Sequence, residues 1–172
     1  MGHARFLALV PLVFAACSTD RPQVTPPGYR DSGAMISSIA SFDPARFAGE
    51  WHLVASFPTQ AQDGCTDNRV AYFPTAEDLR IVNTCTRNGE VARTQSLARM
   101  TGPGRFDVQP GPEPYWVLWV DEGYRTAVIG TPSGQMGWIL NRNPVIPADR
   151  LAAAREILDF NGYDVSRLRM IP

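Results

Sequence analysis

Two histidines, three cysteines and a scatter of carboxylates are the side chains of this chain that could do acid–base, nucleophilic or metal chemistry. His3 falls in an apolar N-terminal segment, and His52 follows Trp51, where strand alternation sends the two to opposite faces. Once the N-terminal segment is removed, His52 is the last histidine, and no Gly-x-Ser-x-Gly turn accompanies it, so a serine hydrolase lacks its parts. Cys65 and Cys85 have no His or Cys cluster around them at zinc spacing. Gly102-Pro103-Gly104 fits a hairpin turn better than a phosphate loop, and Asp121-Glu122 fits a solvated turn better than a catalytic carboxylate pair. The expectation is a protein that is not an enzyme and uses no metal and no cofactor.

The cysteines point instead to export. Residues 1–16 carry one Arg and one His, an apolar run from Phe6 to Val13, then Ala15-Ala16, the layout of a cleaved signal peptide. The run is roughly ten residues long, half of the about 20 that a spanning helix needs. Cys17 follows the small pair, and the arrangement resembles the lipobox of bacterial lipoproteins, with Phe14 where such boxes usually have Leu. That resemblance implies lipidation at Cys17, and Ser18 after it implies the outer membrane. Removing Cys17 from the thiol count leaves Cys65 and Cys85 as one pair, suited to an oxidising compartment. The rest of the stretch 17–40 is rich in Pro, Ser, Thr and Gly and is expected to be an extended tether. No Lys occurs in the chain and the net charge is −1, which argues against nucleic acid as a partner.

The remaining length, 41–172, suits one domain, and a 44% hydrophobic composition suffices for a core or a lined cavity. From Phe42 onward, β-branched and aromatic runs alternate with Gly, Pro, Asn and Asp. They cover 51–57, 69–73, 79–85, 91–100, 105–109, 115–120, 124–130 and 136–142. Eight strands joined in sequence predict an all-β, antiparallel up-and-down barrel, in which closure removes exposed edges. If 69–73 and 79–83 pair around Pro74–Glu77, opposite positions face each other in a register that also sets Cys65 across from Cys85, within disulfide reach. The alternative is two reduced, buried thiols. Residues 147–161 predict one helix packed outside the barrel, with Leu151, Ala154 and Leu158 in one stripe and Gly162 as its stop. Val165–Ile171 suits a short added strand.

Phe42-Asp-Pro-Ala-Arg-Phe-Ala-Gly49-Glu-Trp51 resembles the first lipocalin signature, and Trp138-Ile-Leu-Asn-Arg142-Asn-Pro144 resembles the third, at the separation the family requires. The second signature is present only as Glu122-Gly123-Tyr124. Tyr115 through Pro144, together with the helix and Gly162-Tyr163, is similar to the bacterial lipocalin and apolipoprotein D branch. The resemblance implies that Gly49, Trp51, Tyr124 and Arg142 are structural, with the Arg142 guanidinium laid over the Trp51 ring at the barrel floor. With Trp51 pointing inward, alternation turns Leu53, Ala55 and Phe57 inward as well. The family pattern adds Ala71, Phe73, Met100, Phe106, Val108, Met136 and Trp138 to the inward set. On 115–120 either Tyr115 or Trp116 faces the cavity, with Tyr115 preferred. Such a lumen would bind a small apolar ligand, a fatty acid, a lysophospholipid or a similar lipid, for transport or storage at the bacterial envelope. The rival expectation is a filled barrel that acts as a structural or protein-interaction lipoprotein.

Overall fold

The computed structural model describes residues 28–171; the expected signal peptide and Cys17 lie outside the described residues. Alternating apolar and polar side chains extend into strands β1 (Gly49–Ser56), β2 (Asp67–Pro74), β3 (Asp78–Arg87), β4 (Glu90–Gly102), β5 (Arg105–Gln109), β6 (Tyr115–Val120), β7 (Thr126–Gly130) and β8 (Gly137–Asn141). Each pairs antiparallel with the next, and β1 pairs with both β2 and β8, which closes an eight-stranded barrel. Turn chemistry sets the joints. At Asn88-Gly89 both residues have positive φ, 52° and 82°, so β3 and β4 connect through a two-residue turn that matches strand twist.

Closure is achieved by bending β1. Its first half, Gly49–His52, pairs with β2, and its second half, His52–Ser56, pairs with β8, with a bulge between Leu53 and Ala55. A short strand β9 (Arg169–Met170) takes the edge that β2 leaves, pairing with Ala55 and Ser56 as the added strand expected near the C-terminus. The helix α2 (Ala148–Phe160) packs outside, burying Ala154 and Leu158 against Val54, Ala55, Val128 and Ile139. Arg150 reaches from this helix to Thr126 Oγ1 (2.9 Å) and Asn141 Oδ1 (3.1 Å), pairing polar groups at the seam. Gly162 ends the helix at φ +84°, where a Cβ would come within 2.6 Å of Ala34.

Two apolar cores result, one inside the barrel around Trp51, Tyr72 and Phe106, the other between barrel wall and helix. Three expectations are corrected here. The β1 bulge places Val54 and Ala55 together on the helix side, and Phe57 follows them to stack on Tyr29 and Tyr163, at centroid distances of 4.9 and 5.2 Å. Alternation fails at Ala55 and Phe57 because one inserted residue reverses facing downstream. The β2–β3 register also differs, since Pro74 stays in the strand and Thr75 and Asp78 close a tighter turn. Cys85 therefore pairs with Asn68, and Cys65, in the loop before β2, reaches it as a disulfide with 5.4 Å between Cα atoms.

The third correction concerns the described part of the expected tether, from Gly28 on. From Gly28 to Ile39 the chain runs along the barrel as a strap, bound through its backbone and its few apolar residues. Tyr29 N–H donates to Gly134 O, Ser37 N–H to the Asn161 side chain and Ile39 N–H to Val117 O. Arg30 is buried and donates to the carbonyls of Asn161, Pro132 and Ala34. Tyr29 and Ile36 pack on the helix-side core and Ile39 on the inner one.

Replacing Phe57 by Ala should cost about 3–5 kcal/mol of stability, as for other large buried aromatics. Urea denaturation measures this. Because Phe57 belongs to the helix-side core, ligand affinity of the folded variant should be unchanged.

Candidate ligand-binding cavity

The floor of the barrel is built first from sequence-local structure. Asp43 accepts hydrogen bonds from the backbone of Ala45 and Arg46 and starts a single helical turn, α1 (Pro44–Phe47), that drops Phe47 into the barrel end. Phe47 contacts Phe42, Trp51 and Tyr72 at centroid distances of 4.7–5.1 Å, and its carbonyl accepts from the Trp51 indole N–H at 2.9 Å. The Arg142 guanidinium lies 3.8 Å above the Trp51 ring centre. It donates to four carbonyls, those of Glu50, Arg46, Ala48 and Tyr124, at 2.8–3.2 Å. Gly49 (φ +93°) leaves the space that Arg142 uses, with only 3.3 Å between its built Cβ position and Nη1.

Tyr124 reaches this cluster through a turn held by Asp121, whose carboxylate accepts from the backbone N–H of Arg125 and Thr126 and from the Arg125 side chain. Burial opposes its charge, but the Thr126 and Arg125 donors outweigh that and hold its pKa below the usual carboxylate value. The same turn shortens the expected run 124–130 to Thr126–Gly130.

Above the floor lies a cavity of about 360 Å³, bounded at the opposite end by the β1–β2 loop around Gln62 and the β5–β6 loop Pro110–Glu113. The barrel is thus filled in its lower half and hollow in its upper half. One wall is apolar: Leu53, Val108, Tyr115, Met136 and Trp138. The facing wall is mixed, with Asn68 from β2, Asn83 from β3 and Thr94 and Ser96 from β4 set among Val70, Tyr72, Ile81 and Ala92. Arg87 stands toward the open end, whereas the Arg69 guanidinium is held on the outer face by Asp67 and Glu50.

Four of the ten residues expected to contact ligand therefore line this cavity: Val108, Tyr115, Met136 and Trp138. Tyr115 is the inward member of its strand pair, and Trp116 faces out beneath Arg105, 4.2 Å from its ring centre. Phe106 is buried lower down, against Phe42 and Tyr115. Met100 pairs with Phe106 but sits near the end of its strand, 43% exposed and clear of the cavity. Ala71 and Phe73 are corrected to the outer face, with Phe73 covered by Arg80 and Val70 and Tyr72 pointing in. The one-residue change in β2–β3 register accounts for it, because Ile81 on the inner face pairs with Tyr72 and not with Ala71. The polar residues of the mixed wall were missed altogether. Asn68, Asn83 and Thr94 read as surface residues, and the signal available was that they share the parity of Val70, Ile81 and Ala98, which are buried.

A family model described as a lipocalin-like domain matches residues 42–172, the span of floor, barrel, helix and β9. The chain belongs to the lipocalin family. Among characterised lipocalins it is 27% identical to temperature-induced lipocalin-1 of Arabidopsis thaliana over 150 residues, 78% of this chain and 81% of that one. It is 26% identical to the outer membrane lipoprotein Blc of Escherichia coli, with 94% of this chain and 95% of that protein covered. Apolipoprotein D of Mus musculus is 23% identical over 74% of this chain and 75% of its own length. Insecticyanin from the tobacco hornworm Manduca sexta superposes with a TM-score of 0.66 at 17% identity, over 85% of this lipocalin and 87% of the insect chain, which is a likeness of fold.

Substituting Arg142 by Met should destabilise this lipocalin by about 3–5 kcal/mol in chemical denaturation, since four carbonyls lose a charged donor together. Asp121→Asn tests the neighbouring turn. A lowered native pKa means that the carboxylate stabilises the fold above its unfolded value, about 3.9, and loses that contribution as pH falls through the native value. The stability gap between wild type and Asp121→Asn should be wide at pH 7 and narrow toward pH 3.

Proposed function

We propose that this lipocalin binds and carries a single-chain lipid or similarly small apolar molecule at the bacterial envelope, tethered to the outer membrane through a lipidated Cys17, and that it is not an enzyme. The observation that carries the proposal is the cavity: a closed floor, an open far end and an apolar wall of Leu53, Val108, Met136 and Trp138. Its volume stands at the lower end of the roughly 300–1,000 Å³ typical of small-molecule sites, which favours one acyl chain over a two-chain lipid. Each sequestered methylene contributes about 0.8 kcal/mol, so a medium-length chain outweighs the cost of ordering it. His52 is not among the lining residues, and the tyrosines that are have hydroxyls raised in pKa by burial, a poor basis for a general base at neutral pH.

The envelope assignment rests on the lipobox-like residues before Cys17 and on near full-length similarity to the outer membrane lipoprotein Blc. That similarity and the match to apolipoprotein D also favour the bacterial and apolipoprotein D branch.

Native mass spectrometry of the intact protein, before and after adding fatty acids and lysophospholipids of graded length, tests the proposal. Saturable one-to-one binding at micromolar concentration is expected, weakened at least tenfold by Trp138→Arg, which puts a charge into the apolar wall. Retention of no lipid from the series would overturn the carrier reading and favour a protein-interaction role for the outer surface. Mass analysis of the protein recovered from membranes separately tests acylation of Cys17.

A further inference from the structure

The base of the cavity is not apolar. Tyr115 is 6% exposed and lines the lumen, and its buried hydroxyl makes no well-formed hydrogen bond, only a loose pairing with the Tyr72 hydroxyl. Its ring is fixed by Phe106 and Trp138, at centroid distances of 5.5 and 5.8 Å, so the hydroxyl cannot swing out to solvent without unpacking both. Tyr72, whose ring rests on Phe47 of the floor at 4.7 Å, presents a second hydroxyl near enough for the two to influence one another. Two hydroxyls paired with each other use only one of their two O–H donors, and a methyl terminus pressed against the pair would leave the other unsatisfied at a cost. Water can serve the hydroxyl, but displacing it with a group that cannot reproduce its hydrogen bonds loses affinity.

Building on the carrier reading above, we propose that the ligand bears a neutral oxygen, a hydroxyl or a carbonyl, at the end that enters first, and that this oxygen bonds to Tyr115. The charges of the site explain why the leading group is neutral. The cationic lining residue Arg87 lies at the mouth end of β3, and the base offers Tyr72, Tyr115 and the aromatic floor in place of a countercharge. Burial raises the Tyr115 hydroxyl well above the ordinary tyrosine range, so it stays an O–H donor. Toward the mouth, Asn68 supplies a second buried donor without a partner, its side-chain amide nitrogen. Asn68 and Tyr72 lie four residues apart on one strand face, roughly 13 Å, so one elongated molecule with oxygen at both ends spans them.

Calorimetric titration of the intact protein with dodecanoic acid and 12-hydroxydodecanoic acid tests this. The hydroxy acid should bind about tenfold tighter to wild type, and Tyr115→Phe should abolish the difference by improving plain dodecanoic acid and weakening its hydroxylated counterpart. Equal or tighter binding of dodecanoic acid by wild type overturns the inference and leaves the carrier reading standing. So does a preference for the hydroxy acid that survives in Tyr115→Phe. Binding of neither acid removes both. The wild-type comparison requires no variant, so the outcome does not depend on how well Tyr115→Phe folds.

Discussion

Arg142 ties together the segments that give the barrel an end. Its guanidinium covers Trp51 and gathers carbonyls from α1, from the start of β1 and from the turn before β7, all from the end of β8. The cation is partly buried, and the converging carbonyls offset the cost of taking it out of water. Burial lowers the pKa of Arg142, yet arginine starts so high that it remains charged. With the floor fixed in this way, the hollow upper half can exist without the barrel collapsing into it.

Sequence and structure agree where the determinants are local. Eight runs and the helix with its Gly162 stop are each carried by residue type at short spacing, the distant pairing of Trp51 with Arg142 by resemblance to a family signature, and the barrel has them all. Disagreement arises wherever one residue of register decides a face. The turn at Thr75–Asp78 is tighter than a four-residue turn from Pro74 would be, and that slip sent Ala71 and Phe73 outward. The bulge between Leu53 and Ala55 did the same for Ala55 and Phe57, and nothing in the order Leu-Val-Ala-Ser announces it. On β6, where sequence left Tyr115 and Trp116 as alternatives, Tyr115 lies upstream of the bulge between Val117 and Trp119 and lines the cavity.

The strap shows a different failure. Its composition reads as a solvated linker, but Tyr29, Ile36 and Ile39 each find an apolar surface, and Arg30 finds carbonyls. Sparse apolar residues suffice because the barrel already offers a partner surface, so the segment need not carry a core of its own. The cavity carries a related lesson. Hydrophobic content predicts a greasy lumen, whereas the lumen has an apolar wall facing Asn68, Asn83, Thr94 and Ser96. Such asymmetry gives a ligand a preferred rotation about its long axis as well as a preferred depth.

The strap also fixes where the chain enters the fold. It begins beside Gly134, in the β7–β8 loop whose Ser133 is hydrogen-bonded to Glu113 at the cavity rim, and it runs from there toward the closed end before β1 turns back. Gly28 therefore sits beside the rim and not the floor. From Cys17 to Gly28 the covalent chain reaches no more than roughly 40 Å at full extension. Anchorage through Cys17 would keep the cavity's opening close to the bilayer plane, shortening the aqueous gap that a transferred lipid has to cross.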